Sequence, residues 1–251
     1  MNFFDNFQKK NLIAAHRGYS NRYPENTRIA FQKALKGSDL LEFDVQFTKD
    51  GVAVVFHDET LQRTSNVTLL EEFLDKKPYY VHNFYYEELL KLDIGSWFRK
   101  GDIQRILTLD EVLEFAVQNG ICLNIEIKDM SSVRDDNMII KEIVKIIIKY
   151  NYEKKVLISS FNHYYLKLMK QFSPSLSIAA LTYKDHPKNL VDYLKDLDVN
   201  SYHINYSSVS KKIVQSLRKE DIFVGVYTVN QKARQKKLFD MGVRVIFSDC
   251  L

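Results

Sequence analysis

Residues 40–58 read LLEFDVQFTKDGVAVVFHD, and this stretch decides the fold because it places two acids inside an apolar strand. Leu40–Phe47 is strand-like, and its side chains alternate between two faces, so Glu42 and Asp44 point from the same face. The remaining positions make both faces largely apolar. A solvated strand face is therefore a poor interpretation, and buried carboxylates need a cation or hydrogen-bond partners.

A tight turn follows this strand and predicts how a histidine meets the acids. The Asp-Gly dipeptide at 50–51 is a two-residue hairpin signal, and a second strand returns as far as Phe56. If Lys49 pairs with Val52, Asp44 lies opposite His57 on one face. A one-residue slip would turn that histidine away. Two acids and a histidine on one strand surface are typical of a metal site with an acid/base group beside it.

Length and composition limit the class of protein. The chain has 251 residues, of which 45% are hydrophobic and 27% charged, and about 250 residues is the usual size of a (β/α)8 barrel. The net charge is only +4, and Lys and Arg are spread along the sequence. This distribution argues against a nucleic-acid partner.

The sequence also lacks the usual signals of export. Residues 1–10 contain no cationic segment followed by an apolar stretch, so no signal peptide is expected. No apolar run approaches a membrane span, so no transmembrane segment is expected. Cys122 and Cys250 form neither a CxxC motif nor a disulfide framework. We therefore expect a cytoplasmic protein with one domain over residues 1–251.

A short apolar strand followed by a helical pattern recurs along the chain. Helices are predicted at 24–36, near 109–118 and at 133–150, with further helical segments between the later strands. Thr108 and Glu111 predict a capping box at the start of the second helix. Alternation implies parallel pairing, and eight units imply an α/β fold closed as a (β/α)8 TIM barrel. The predicted barrel strands are 12–15, 40–47, 122–127, 156–160, 176–181, 199–204, 223–229 and 243–247.

Two segments depart from this repeat. Residues 65–105 form a small insertion after the second strand and its hairpin, rich in Tyr and Phe. An insertion of this kind covers the active-site end of a barrel or serves as a packing appendage, and the pattern leaves both open. No eighth helix is expected after the last strand. Phe3, Phe4 and Phe7 are expected to pack over that gap or over the barrel floor.

Chemistry in such barrels lies at the carboxyl ends of the strands. His16 follows the first strand at once, and Glu126 and Lys128 alternate at the end of the third. With Glu42 and Asp44, Glu126 would supply three oxygen ligands for one hard divalent cation, Mg2+ or Ca2+. Arg17 and Lys128 carry charge suited to a phosphate. Together these residues predict metal-assisted cleavage of a phosphodiester, with imidazoles moving protons.

With these features the chain resembles the glycerophosphodiester phosphodiesterase family. The matching segments are ordered and spread over most of the chain, which makes the set specific although each match alone is weak. They are AHRG (15–18), PENT (24–27), EFDVQFTKDG (42–51), VVFHDETLQRT (54–64), LDIGSWF (92–98), LTLDEVLEF (107–115), NIEIK (124–128), SSF (159–161), YTVN (227–230) and FSD (247–249).

The resemblance implies a role for each matching position. His16 and His57 match the family's catalytic acid/base pair, and Arg17 and Lys128 match its phosphate-contacting positions. The metal ligands implied are Glu42, Asp44 and Glu126. The expected reaction is metal-dependent hydrolysis of a small glycerophosphodiester to an alcohol and sn-glycerol 3-phosphate. In that family's mechanism the neighbouring glycerol hydroxyl attacks phosphorus, and water then opens a cyclic phosphate.

The sequence departs from the family at three places. Tyr227 stands where tryptophan is usual, so this substrate-binding wall of the pocket keeps an aromatic ring but gains a hydroxyl. Leu107 replaces a common proline, and the sequence after 249 differs from the usual proline and helix. The seven positions assigned to proton transfer, metal binding and phosphate contact all carry the family's residue types.

Two other functions stay open from the sequence. A lysophospholipase D would use the same site with an apolar groove, for which the insertion offers Tyr79, Tyr80, Phe84, Tyr85 and Tyr86. A catalytically silent barrel used as a binding module is the third interpretation. No catalytic role is expected for the remaining histidines, which are His82, His163, His186 and His203. The oligomeric state, the head group and the assignment of base and acid to the two histidines are left open.

Overall fold

The structure is a computed structural model that describes residues 2–251. Eight parallel strands form a closed barrel, in which the first strand pairs with both the last and the second and so completes the ring. This confirms the predicted (β/α)8 fold. The strands are β1 Leu12–His16, β2 Leu40–Phe47, β3 Ala53–Val55, β4 Leu107–Thr108, β5 Cys122–Ile127, β6 Val156–Ser160, β7 Ser177–Thr182, β8 Ser201–Asn205, β9 Phe223–Tyr227 and β10 Val245–Ser248. The short antiparallel strands β3 and β4 extend from β2.

Among residues 2–251, seven helices pack around the outside of this barrel, and an eighth, Tyr86–Leu89, belongs to the segment between β3 and β4. In chain order the eight are α1 Arg28–Ala34, α2 Tyr86–Leu89, α3 Leu109–Asn119, α4 Asp136–Lys149, α5 His163–Phe172, α6 Leu190–Asp196, α7 Lys211–Arg218 and α8 Lys232–Met241. The predicted capping box begins α3: the Thr108 hydroxyl accepts from the Glu111 amide at 3.1 Å, and the Glu111 carboxylate accepts from the Thr108 amide at 2.9 Å. No helix in the described chain is both long enough and apolar enough to cross a membrane.

The first helix is shorter than predicted. The sequence indicated a helix over 24–36, whereas α1 begins at Arg28 with Thr27 as its N-cap. Asn26 has a φ of 58°, a left-handed conformation that no helix allows. The residues before Arg28 therefore form a loop, and this loop turns Asn26 toward the barrel interior.

Alternation along the strands separates an outer core from an inner one. Leu41, Phe43 and Val45 of β2 pack outward against the helices. Leu40 faces inward, in a cluster with Phe3 and Phe4. The two N-terminal phenylalanines thus pack at the barrel floor, one of the two positions expected from the sequence. Above that floor Glu42 and Asp44 point into the barrel, as the period of two predicted.

The predicted hairpin register is wrong by one residue. Val45 pairs with Val55, and the Thr48 amide donates to the Val52 carbonyl at 3.0 Å, so the connection has three residues rather than two. Asp44 consequently lies opposite Phe56, whose amide donates to the Asp44 carbonyl at 3.0 Å. His57 lies beyond the end of β3, and the chain bends there and returns the imidazole to the interior.

The segment between β3 and β4 builds a small core of its own. It contains α2 and three short 3-10 helices, at Val67–Leu69, Glu71–Lys76 and Val81–Asn83. The buried side chains of this cluster include Phe73, Tyr79 and Phe84. The insertion is therefore packed around its own aromatic residues.

Candidate active site

A cavity of about 330 Å³ opens at the carboxyl ends of the barrel strands. It brings together residues that are far apart in the sequence, as the barrel interpretation predicted. Seven of the eight candidate residues line it, namely His16, Arg17, Glu42, His57, Glu126, Lys128 and Tyr227. Asp44 is 1% exposed and lies just behind these residues.

Three carboxylates meet in the interior. Ligand oxygens of Glu42, Asp44 and Glu126 lie within 4.8 Å of one another, because Asp44 and Glu126 are register partners on the adjacent strands β2 and β5. Burial, together with the neighbouring charges of Asp44 and Glu126, raises the pKa of Glu42 to about 8, against the opposing effects of His16 and Arg17. Oxygen donors so close together and so far from water fit a hard divalent cation.

Two cations balance the negative charge of Asp44, but neither forms an ion pair with Glu42. The Lys128 ammonium lies 3.0 Å from Asp44 and 2.7 Å from Glu126, and Arg17 Nε lies 3.6 Å from Asp44. Burial opposes ionisation of Asp44, but Lys128 and Arg17 outweigh it and lower its pKa. Asn26 also donates to Asp44, at 2.9 Å. Arg17 offers Glu42 only its backbone amide as a hydrogen-bond donor, at 2.8 Å.

His16 is oriented by an acid from the last strand end. Its Nδ1 lies 2.7 Å from Asp249 Oδ1, and Ser20 and Asn230 donate to the same carboxylate. Burial opposes ionisation of Asp249, but the His16 hydrogen bond outweighs it, so the pKa of Asp249 is about 2. An ionised carboxylate only accepts, so Nδ1 carries a proton and Nε2 is left for the cavity.

His57 has a similar arrangement built from its own neighbour. Its Nδ1 lies 2.6 Å from Asp58, which Arg63 holds at 2.5 Å. Arg63 also contacts Glu25 at 2.7 Å, and Glu25 contacts Arg17 at 3.0 Å. This chain of charges joins the loops after β1 and β3, so both histidine-bearing segments are held by one network.

Tyr227 forms part of the cavity wall at the end of β9. Its hydroxyl donates to the Thr182 carbonyl, and its ring packs edge-on against Phe161 with centroids 6.2 Å apart. The hydroxyl that distinguishes this residue from tryptophan thus bonds to the last residue of β7, two strands away in the barrel, and the ring is fixed in place.

Several residues that shape the site have no role predicted from the sequence. Asp58 follows His57 directly, so the chain itself carried that signal, whereas Asp249 lies 233 positions from His16. His203 also lines the cavity although it is fully buried, and burial lowers its pKa to about 3. An ideal Cβ on Gly225 would stand 2.6 Å from His203 Cδ2, so this glycine makes room for the imidazole.

Comparison with known proteins agrees with the site geometry. A family model described as the glycerophosphoryl diester phosphodiesterase family matches residues 16–251. A glycerophosphodiester phosphodiesterase of Caldanaerobacter subterraneus subsp. tengcongensis is 38% identical over 245 residues, covering 96% of this chain and 94% of the relative. A glycerophosphodiester phosphodiesterase of Bacillus altitudinis is 36% identical over 243 residues, covering 94% of each.

A solved structure extends the likeness to three dimensions. It is a phosphodiesterase of Oleispira antarctica in complex with the product sn-glycerol-3-phosphate, with a TM-score of 0.87 and 28% identity. The alignment covers 99% of this chain and 96% of the other. The likeness therefore includes the barrel, the insertion and the loops that carry the candidate site.

Proposed function

This chain belongs to the glycerophosphoryl diester phosphodiesterase family, and on that premise we propose that it hydrolyses glycerophosphodiesters to an alcohol and sn-glycerol 3-phosphate. The observation that carries the proposal is the meeting of two histidines, His16 and His57, with a buried carboxylate cluster in one cavity. Each imidazole has an acid on its Nδ1, which leaves the other nitrogen for proton transfer.

We propose that one divalent cation, Mg2+ or Ca2+, is held by Glu42, Asp44 and Glu126. When bound, the cation supplies Lewis-acid stabilisation of negative charge on the phosphoryl oxygens. Three oxygen donors favour a hard cation over one that prefers thiolates. The raised pKa of Glu42 supports the assignment, because that carboxylate lacks a side-chain cation of its own.

Arg17 and Lys128 are assigned to the phosphate. Both line the cavity, and both are anchored by acids behind them, Glu25 for Arg17 and Asp44 for Lys128. Anchored cations hold a phosphate without a large loss of side-chain entropy. Tyr227 is assigned to the wall that contacts the substrate, since its ring is fixed by Phe161.

The two histidines are assigned to the proton transfers. One imidazole accepts the proton of the glycerol hydroxyl next to the phosphate, and that oxygen attacks phosphorus. The other imidazole donates its proton to the leaving alcohol oxygen as the phosphorus–oxygen bond breaks. Water then opens the cyclic phosphate, with the protons returned in the reverse sense. Each histidine ends the cycle in its starting state.

The test is turnover of a panel of glycerophosphodiesters, assayed with Mg2+, Ca2+ and Mn2+ in turn. Parent enzyme should release sn-glycerol 3-phosphate, and chelation followed by dialysis should abolish the activity. His16→Ala and His57→Ala should each lower kcat by about 10²–10⁴-fold. His82→Ala is the matched control, because His82 stacks on Tyr80 in the insertion and does not line the cavity. Near-parent activity in either cavity variant would reject the acid/base assignment.

A lysophospholipase D is the alternative, and the structure gives it little support. Tyr79 and Phe84 are fully buried in the insertion's own core, and none of the five aromatic residues considered for an acyl groove lines the cavity. Comparing glycerophosphocholine with its acylated counterpart decides the matter, since a large preference for the acylated ester would favour the alternative. A catalytically silent barrel is rejected by metal-dependent turnover of either substrate.

We also propose that residues 1–251 act as one domain, with 65–105 as an insertion within it. The insertion's cluster includes Val54 and Phe56, which flank or belong to β3, so it is built onto the barrel's own hairpin. Limited proteolysis should not release a folded 65–105 fragment. The cytoplasmic location stays a prediction.

A further inference from the structure

A second groove leads from the active site to the surface. Its volume is about 610 Å³, and it shares five lining residues with the catalytic cavity, namely His57, Glu126, Lys128, Phe161 and Tyr183. Its walls come from residues 58–60, which follow β3, and residues 127–129, at the end of β5. His16 does not line it, so among the described residues the groove lies on the His57 side of the site. A diester bound at the phosphate positions therefore has one substituent that this groove can receive.

The groove carries two carboxylates whose charge is not cancelled. The positive charge of Lys128 is paired with Asp44 and Glu126, and the negative charge of Asp58 is paired with Arg63. Glu59 and Asp129 also line the groove. Across residues 2–251, neither of them forms an ion pair with a lysine or arginine.

The negative charge of Asp129 is fixed by neutral donors. Its Oδ1 accepts from the Ser131 amide and from Asn162 Nδ2, both at 3.0 Å. Burial opposes ionisation, but these hydrogen bonds outweigh it and lower the pKa of Asp129. The carboxylate is thus ionised at neutral pH.

Two aromatic rings lie where the groove joins the catalytic cavity, and both are open to solvent. Phe161 and Tyr183 stack with centroids 4.9 Å apart and planes 25° apart. They are 36% and 67% exposed, respectively. Aromatic faces beside carboxylates are the combination that binds ammonium and quaternary ammonium groups, because the ring quadrupole and the acid attract the same charge.

We propose that this groove binds the leaving alcohol of the diester and selects alcohols that carry an ammonium or quaternary ammonium group. The inference rests on the proposed function, since it concerns the second substituent of the same phosphodiester. A neutral polyol leaves the charges of Glu59 and Asp129 without a partner, and an anionic alcohol is repelled by them. Charge complementarity and continuity with His57 together specify the occupant.

The test compares two esters that differ in one charge. Glycerophosphocholine is paired with its uncharged isostere, in which a tert-butyl group replaces trimethylammonium. Parent enzyme should favour the choline ester by about 10-fold in kcat/KM, mainly through KM, which corresponds to about 1.4 kcal/mol. Asp129→Asn combined with Glu59→Gln should lower this ratio to about 2-fold or less. The ratio is taken within one protein, so a loss of folded enzyme cancels.

Aromatic and surface variants complete the experiment. Tyr183→Ala should lower the ratio, whereas Tyr183→Phe, which keeps the ring face, should retain it. Asp240→Asn is the control, because Asp240 is an exposed acid on α8. Equal kcat/KM for the two esters in the parent enzyme would overturn this inference and leave the proposed function standing. A choline preference that survives the double variant would have the same consequence. No turnover of any glycerophosphodiester would overturn both.

Discussion

Replacing Asp249 with asparagine removes one negative charge while keeping the size of the side chain that orients His16. In the parent the two groups are 2.7 Å apart, and the carboxylate, with a pKa of about 2, is ionised throughout the working range. Burial opposes the imidazolium form of His16, but Glu42 and the Asp249 hydrogen bond outweigh it and raise the pKa of His16. Asp249 is therefore one of the groups that set both the tautomer and the basicity of this imidazole.

The magnitude follows from the loss of charge assistance. A hydrogen bond to a charged group contributes roughly 1.5–3 kcal/mol, against about 1 for a neutral pair. Losing about 1.4 kcal/mol lowers the pKa of His16 by about one unit. The limb of the pH–rate profile that reports His16 should move to lower pH by that amount. An asparagine amide can also donate to Nδ1 and favour the wrong tautomer, so we expect kcat to fall by about 10- to 100-fold.

The assay measures kcat and KM for a glycerophosphodiester from pH 5 to pH 9 in the parent and in Asp249→Asn. KM should change little, because Asp249 acts through His16 rather than on the substrate. Asp240→Asn, which alters an exposed acid on α8, should reproduce the parent profile. An Asp249→Asn enzyme with the parent kcat and an unmoved limb would show that His16 needs no partner, and the reasoning would be refuted.

Three further predictions concern the metal site, the barrel interior and a helix start. The raised pKa of Glu42 favours its protonated form, and the carboxylate must ionise to bind a cation, so titration calorimetry in buffers of different ionisation enthalpy should detect proton release. Glu42→Gln should abolish this release, and release that persists would contradict the assignment. Gly225→Ala places a Cβ 2.6 Å from His203 Cδ2 and 3.0 Å from Phe247 Cε2, and should cost about 1–3 kcal/mol in urea unfolding. Adding His203→Ala removes the closer contact and should relieve part of this cost, and an equal loss in both backgrounds would exclude the His203 clash. Thr108→Ala removes the N-cap of α3 and should lower the free energy of unfolding by about 1 kcal/mol. An unchanged urea midpoint would contradict this prediction.

The strand pattern predicted the barrel well because alternation is a local property. It identified β2 and β5 with their observed limits and the inward direction of Glu42 and Asp44. The predicted hairpin register was wrong because a side chain forms hydrogen bonds within the turn. Thr48 Oγ1 accepts from the Val52 amide at 2.9 Å and donates to Asp50 at 2.7 Å. This side-chain bonding adds a residue to the loop, and an Asp-Gly preference alone contains no information about it.

The partners of the catalytic candidates were harder to predict because they depend on tertiary structure. Asp249 reaches His16 only when β10 closes the barrel beside β1. Arg63 reaches Glu25 only when the loops after β3 and β1 meet. A sequence motif can indicate which side chains belong to a site, but not which of the chain's many charged residues will hold them.

Glu42 and Asp44 show where sequence information about this site ends. They are carboxylates two positions apart on one strand, equally buried and aimed at the same interior. Yet the pKa of Glu42 is raised and that of Asp44 is lowered. The difference arises because Lys128 and Arg17, from two other strand ends, both approach Asp44. The strand pattern determines that the acids face inward, whereas the closed barrel determines which of them is charged before a cation arrives.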